Sequence, residues 1–459
     1  MDYRIEEDTM GKVKVPADRY WGAQTERSRR CFQSGRRMPA EIIRAFAYVK
    51  KAAALANVEI GVLSTEKADL ICRVCDEILS GKLDGEFPLV VYQTGSGTHT
   101  NMNINEVIAN RGNEIADKKL LHPNDDVNMS QSSNDTFPSA MAVAAVFAVE
   151  DRLLPVLDRV CISLDELGSR YARAVKPGRT HLQDAVPLTF GQEVSGWRSL
   201  LLYAKENVES ALPGLTEIAL GGTAVGTGLN APEGFDELAA EKLSEFTGKT
   251  FRTAENKFRA LSGKDQFVFA HGALKSLAAD LMKIANDIRW LAGGPRNGLG
   301  EITIPANEPG SSIMPGKVNP TQTEAATMAA VRVMGNDTVV GVAASQGNFE
   351  LNVYMPVIAD AFIESVDLLA GTIASLDEKC ISGIEANVEK MRAGAESSLM
   401  LATALNTHIG YASAAKVAKK AHAEGLTLRE AGIELGLFTG DEYDEWVDVF
   451  AMTKAEPKE

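Results

Sequence analysis

The 459-residue chain predicts a mainly all-α fold centred on a bundle of long helices, and three runs of apolar residues lead there. Leu274, Leu277, Leu281, Ile284, Ile288 and Leu291 recur at intervals of three and four, and the run stops at Gly293-Gly294-Pro295. Leu153, Leu157, Val160, Leu164 and Leu167 repeat the same spacing. Phe362, Val366, Leu369 and Ile373 mark a third helix, and the Ala- and Met-rich stretch from Thr321 to Val340 a fourth. Helices of this length with apolar seams bury them only against one another.

Taken in order, residues 1–131 combine a Gly- and Pro-punctuated opening with shorter helices and form the first expected domain. The long helices fill a second, 132–388, and a small helical tail, 389–459, contains helical runs at Ala412–Ala423 and Leu428–Leu435. Asn134-Asp135 and Pro138 are start signals ahead of the Leu153 run. Pro155 should kink that helix without ending it, because the period continues on both sides. The alternation Asp184-Ala-Val-Pro-Leu188 is too short to argue a sheet, so strands should be minor. Gly221 to Gly228 reads as a turn-forming connection between helices.

Composition narrows the function. Lys and Arg total 47 against 62 Asp and Glu, a net charge of −15, which argues against nucleic acid or an anionic membrane as partner. The acidic opening Met1 to Asp8 lacks the apolar core of a leader, and no later stretch has the roughly 18 apolar residues of a span. The expected place is the cytoplasm, ahead of an organelle matrix. Cys31, Cys72, Cys75, Cys161 and Cys380 are an odd, scattered set that suits reduced thiols, with Cys72 and Cys75 packing a helix.

Four polar clusters interrupt the apolar runs. Gln93-Thr-Gly-Ser96-Gly97-Thr98-His-Thr-Asn-Met-Asn103 leads into a helix and lacks both the third glycine and the strand context of a dinucleotide fingerprint. Its hydroxyls and N–H groups at a helix start suit a carboxylate. In His122 to Asp135, eleven of fourteen residues are polar, more than one helix cap requires, so a ligand or subunit contact is expected. Gly178-Arg-Thr180-His181-Leu-Gln-Asp184 is the third. The fourth, Glu308-Pro-Gly-Ser311-Ser312-Ile-Met-Pro-Gly-Lys317-Val318-Asn319-Pro320, fails as a phosphate loop, with five residues between Gly310 and Gly316 and Val318 after the lysine. It has the ingredients of a flexible segment that closes over an anion.

The segment Gly310 to Pro320 resembles the signature of the fumarase/aspartase superfamily, and the other three clusters match that superfamily's remaining segments in order. Trp21-Gly-Ala-Gln-Thr-Glu-Arg27, where aspartases have Tyr-Gly-Val-His-Thr, and Gly316, where they have Ala, are similar to the class II, iron-independent fumarases. The same-class alternative is an ammonia-lyase acting on aspartate, and a different-class one a silent structural oligomer. The resemblance implies a three-domain fold with a tetrameric helical core. The activity it implies is reversible hydration of fumarate to L-malate, as in the tricarboxylic acid cycle, through an aci-carboxylate intermediate. It implies Ser311 as base, His181 as acid and Glu324 as the carboxylate that orients His181 from another subunit. Ser96, Gly97, Thr98, Ser132, Ser133, Asn134, Thr180, Ser312, Lys317, Val318 and Asn319 are implied to bind substrate. Lys119, His122, Pro123, Asn124 and Asp125 match the family's second carboxylate site, with Lys119 in place of an arginine. No metal or organic cofactor is implied, and the partner is a homotetramer whose sites are shared between subunits.

Overall fold

A computed structural model describes residues 2–454; Met1 and residues 455–459, the outer ends of the first and third expected domains, lie outside the described residues. Among the described residues are seventeen α-helices and five two-stranded ladders, so the chain is mainly α. The apolar seams lie on helices Leu154–Arg170, Asp265–Ala292, Thr321–Ala344 and Met355–Lys379, joined by a further long helix, Phe190–Leu215. Leu274, Leu277, Leu281, Ile284, Ile288 and Leu291 are all buried, as a stripe at helical period requires.

The chain forms two compact units. One comprises Met1–Pro155, Glu206–Ala278 and Val331–Leu369; the other comprises Val156–Lys205, Ala279–Ala330 and Ala370–Glu459. In the first unit, helix Ala40–Ile60 is buried along Ile42, Phe46, Val49, Ala53 and Ala56 and packs against helices Thr65–Leu79, Ser133–Ala148 and Phe235–Thr247. Phe46 meets Phe137 edge to face at 5.6 Å, a contact that adds to the area both rings bury. In the second unit, Trp197 is fully buried and donates its indole N–H to Asp287 at 2.9 Å. The C-terminal helices there close over Leu401, Leu405, Val417, Ala421, Leu428 and Phe438.

Pro155 is accommodated by a change of helical pitch. Helix Ser133–Ala148 runs into a single π-turn, Val149–Leu153, before helix Leu154–Arg170 begins, and the Leu154 N–H bonds back to Val149. The wider turn relieves the clash that the pyrrolidine ring makes with the preceding turn, so the seam continues past it. The 184–188 alternation is a strand after all, within Gln183–Thr189, which pairs antiparallel with Val175–Thr180. Its apolar residues needed a partner strand that local periodicity does not reveal. All five cysteines are free thiols; Cys75, Cys161 and Cys380 are buried, and burial pushes the Cys72 thiol up to about 11.

One surface pair in the first unit predicts the acid response. Arg111 holds Glu77 bidentately, Nε to Oε2 at 2.7 Å and Nη2 to Oε1 at 2.9 Å, and this pairing brings the carboxyl down to about 2. A depressed folded-state value supplies stability that is complete above the ordinary carboxylate range and is lost as pH falls through it toward 2. Glu77→Gln should therefore cost on the order of 2 kcal/mol at pH 7. In denaturant unfolding the gap to wild type should narrow steadily below pH 4.5; a gap independent of pH would refute the ion-pair account.

Candidate functional site

In the first unit, two helix starts meet. Helix Thr98–Ala116 begins at Gly97, whose φ of +73° suits glycine and where an added Cβ would lie 2.0 Å from the Phe137 ring. Gly95 is equally constrained, since a Cβ there would fall 1.5 Å from the Val353 carbonyl oxygen. These close approaches press the Ser96 and Thr98 hydroxyls together at 2.8 Å, Ser96 buried and Thr98 half-buried.

The second start is Ser132, which caps helix Ser133–Ala148 in a capping box: its hydroxyl accepts from the Asn134 N–H at 3.2 Å, and Asp135 accepts from the Ser132 N–H at 2.9 Å. Asn101 stitches the two starts. Its amide donates to the Ser133 hydroxyl at 3.0 Å and to Asn128 at 3.1 Å, while its carbonyl accepts from Thr136 at 3.1 Å. Ser96, Gly97, Thr98, Ser132, Ser133 and Asn134 are thus gathered on one wall, rich in hydroxyls and helix N-termini, which suits an anion.

Beneath that wall lie Lys50, which the sequence reading did not single out, and Asp135, read there only as a helix start signal. Lys50, fully buried, donates to Asn128 Oδ1 at 3.1 Å and Gln131 Oε1 at 3.0 Å. Helical spacing from Phe46 and Ala53 placed it on the apolar face of its helix, and that was the available sign. Asp135, also fully buried, spends its second oxygen on the N–H groups of Gly221 at 3.0 Å and Thr223 at 2.9 Å. Burial pushes the Asp135 carboxyl up to about 6, against the pull of its backbone donors and Lys50, and pushes Lys50 down to about 7.

The second unit carries the other residues. Thr180 and His181 sit at the tip of the 175–189 hairpin, where His181 and Leu182 both take left-handed conformations, φ +56° and +60°. That is the two-residue turn that matches strand twist, here made without the usual Asn-Gly, at a cost of about 1–2 kcal/mol per residue. It holds His181 out in solvent. Ion pairs root the hairpin: Arg179 bonds the buried Glu301 at 2.5 Å, and the buried Lys176 reaches Glu301 and Glu193, each at 3.2 Å.

Residues 308–320 fold into a loop closed on itself. The Gly310 N–H donates to the Lys317 carbonyl at 2.9 Å, the Asn319 amide donates to the Gly310 carbonyl at 2.5 Å, and Thr321 bonds Glu308. Within it the Ser311 hydroxyl oxygen accepts two N–H groups, from Met314 at 3.0 Å and Ile313 at 3.3 Å. Ser312, Lys317 and Val318 are exposed, and Glu324 lies half-buried in the first turn of helix Thr321–Ala344. Among the described residues no hydrogen bond joins His181 to Ser311 or to Glu324 within the chain.

Lys119, His122, Pro123 and Asn124 line a cavity of about 620 Å³ in the first unit, together with Glu6, Glu7, Asp8 and Glu106. Asp125 turns back to His122, whose Nδ1 lies 3.2 Å from both its N–H and its carboxylate. Four carboxylates against one lysine make this a poorer anion site than the Ser132 wall. Among the described residues no group of three or more His, Cys, Asp or Glu side chains is arranged to hold a metal ion.

Comparison with known proteins agrees with this layout along the whole chain. A family model described as lyase matches residues 11–335, and one described as the fumarase C C-terminus matches residues 401–454. The chain is 58% identical to the class II fumarate hydratase of Bacillus cereus, covering 100% of each chain, and 58% identical to that of Bacillus subtilis, covering 99% of each. It superposes on the crystal structure of recombinant class II fumarase from Schistosoma mansoni with a TM-score of 0.96 at 42% identity, over 98% of this chain and 99% of the other. With the serine loop, the histidine hairpin and the paired helix starts each in a single alignable chain, the protein is a lyase that belongs to the class II fumarate hydratase family.

Proposed function

We propose that this protein catalyses the reversible hydration of fumarate to L-malate as part of the tricarboxylic acid cycle, in the cytoplasm and without a metal or organic cofactor. The observation that carries the mechanism is the Ser311 hydroxyl oxygen accepting two backbone N–H groups. Donors aimed at an oxygen favour its ionised form, so they make the serine alkoxide, the form able to take a proton, more accessible than it is in water. In the dehydration direction the Ser311 alkoxide, its own proton first given up to solvent, removes the proton beside one malate carboxylate and becomes a hydroxyl again, and the electron pair moves into that carboxylate as a dianionic aci-carboxylate. Lys317 and Asn319 offset the added charge, each well-aimed donor contributing about 3–4 kcal/mol. The C–O bond then breaks and His181, oriented by Glu324 of another subunit, supplies the proton that lets hydroxide leave as water, directly or through a bound water.

Ser96, Gly97, Thr98, Ser132, Ser133, Asn134, Thr180, Ser312 and Val318 complete the substrate contacts. Lys119, His122, Pro123, Asn124 and Asp125 form the second carboxylate site, with a weak hold given its acidic rim. The three-domain division at 131 and 388 belongs to the same reading: both boundaries fall where a helix begins, at Ser133 and Val388.

The proposed homotetramer with shared sites is supported by what single chains leave uncovered. Helix Thr321–Ala344 has apolar residues beyond its buried face: Ala326, Ala330, Val333 and Val340 are buried, yet Met328, Val331 and Val342 are 67%, 60% and 58% exposed. Large apolar side chains left uncovered on a long helix suit burial against another chain. Phe269, 61% exposed on helix Asp265–Ala292, adds to the uncovered surface. His181, Ser312 and Lys317 are exposed too, as groups completed by a neighbouring chain are.

Purified enzyme should interconvert fumarate and L-malate undiminished after EDTA treatment and exposure to air, and release fumarate from malate faster than from aspartate. Ser311→Ala should lower kcat by about 100-fold or more with little change in KM, since the lost contact belongs to the transition state. Failure of the first measurement sinks the activity; an Ser311→Ala enzyme within a few-fold of wild type moves the base elsewhere. For the shared site, His181→Asn and Ser311→Ala chains unfolded together at equal input and refolded should regain about a quarter of the pockets, by random assembly of closed tetramers. Mixed tetramers verified by mass that stay inactive would show both residues serving a pocket from one chain.

A further inference from the structure

The stretch Gly221 to Gly228 does more than connect helices. Thr223 has φ +51°, a left-handed conformation that a β-branched residue rarely takes, and its hydroxyl is buried with no hydrogen-bond partner. Such strain persists only where surrounding contacts over-determine it. Asp135 bonds the strained stretch itself, and Lys257 bonds the residues that lead into it. Asp135 accepts the N–H groups of Gly221 at 3.0 Å and Thr223 at 2.9 Å, and the Lys257 ammonium donates to the carbonyls of Leu220 at 2.7 Å and Ile218 at 3.5 Å. Lys257 is itself held by Asp236 at 3.3 Å and by Thr253. Gly221 is obligatory, because a Cβ there would lie 2.3 Å from the Cβ of Asp236.

The other end of this arrangement is the Ser132–Asn134 segment. Asp135 uses Oδ1 for the Ser132 N–H at 2.9 Å, and the Asn134 side-chain amide donates to the Ala224 carbonyl at 2.8 Å. Capping the Ser133 helix needs only Oδ1. A fully buried carboxylate whose second oxygen is spent on a loop 86 residues away exceeds what a cap requires, and burying a charge is costly unless every lone pair is used.

We propose that Asp135 and Lys257 are positioning residues for the hydratase reaction: the strained Gly221–Ala224 loop, bonded by Asp135 and approached through the Ile218–Leu220 segment that Lys257 holds, is the template that fixes Ser132, Ser133 and Asn134 where the substrate carboxylate is held. This rests on the hydratase reading. Neither residue touches substrate. Asp135 sets the segment directly, and Lys257 sets the residues from which the loop starts.

The experiment is steady-state kinetics of full-length wild type, Asp135→Asn and Lys257→Met with fumarate and with L-malate, alongside circular dichroism and native mass. Asparagine turns an NH₂ group toward N–H donors on one side and breaks the clamp; methionine removes the ammonium and keeps the stem. Loss of carboxylate contacts shared by ground and transition states should raise KM about tenfold or more for both substrates, with kcat within about threefold. A purely structural role would instead reduce the fraction of active enzyme, lowering kcat at unchanged KM. An Asp135→Asn enzyme that folds with KM within about twofold of wild type overturns the proposal. Should that variant not fold, Lys257→Met decides by the same criterion, its side chain lying at the edge of the loop with some solvent contact. A wild type without hydratase activity would remove the reading beneath it, an outcome separate from an active wild type whose KM ignores the clamp.

Discussion

The paired burial of Asp135 and Lys50 beneath the start of the Ser133 helix is the constraint on which the surrounding structure depends. Neither charge can be left in an apolar interior without partners, so each dictates the position of every group near it. Asp135 demands N–H groups and takes them from Ser132, Gly221 and Thr223. Lys50 demands oxygens and takes them from Asn128 and Gln131. Asn128 Oδ1 also accepts the amides of Asn101 and Asn105, so Lys50 and the Thr98 helix share one acceptor. A wall that offers hydroxyls and helix N-termini to an anion is thereby fixed before any ligand arrives, which is what preorganised binding of a dicarboxylate requires.

The same economy recurs in the second unit with different means. There the positions of Thr180 and His181 depend on a hairpin whose turn is strained and whose strands are rooted by Lys176, Arg179 and Glu301. The strain at His181 and Leu182 is tolerable because the ladder and the buried ion pairs behind it fix the register. The serine loop is held otherwise, by its own backbone: the Gly310 and Lys317 pairing and the Asn319 amide close it, and the closure turns two N–H groups onto Ser311. The wall, the displayed histidine and the self-closed but exposed loop thus present polar groups by three different physical means: buried charges with fixed partners, a strained turn on a rooted ladder, and backbone hydrogen bonds within one loop.

Net charge of −15 is no obstacle to a dianionic substrate. Exposed carboxylates are screened beyond about 10 Å, whereas donors within contact distance act in a medium of lower dielectric. The acid-lined cavity around Lys119 shows the contrast, since its carboxylates stand at the same range as its single lysine.

What the sequence by itself determined is everything set by short-range periodicity and local chemistry. The seams at 153–167, 274–291, 321–340 and 362–373 are helical, the Gly293-Gly294-Pro295 stop ends one of them, and the four polar clusters all fall within the span that the lyase family model matches. Tertiary structure alone decided the pairings between segments remote in the chain. Gly221 to Gly228 looked like a connection because nothing local shows that Asp135 reaches it; the strand at 183–189 was hidden because its apolar pattern makes sense only beside 175–180. Lys50 carried a faint mark, a lysine on an apolar helical face, but its partners Asn128 and Gln131 lie 78 and 81 residues on. Helical period repeats every few residues and is written locally, whereas satisfying a buried charge is a requirement on whatever the fold brings alongside it.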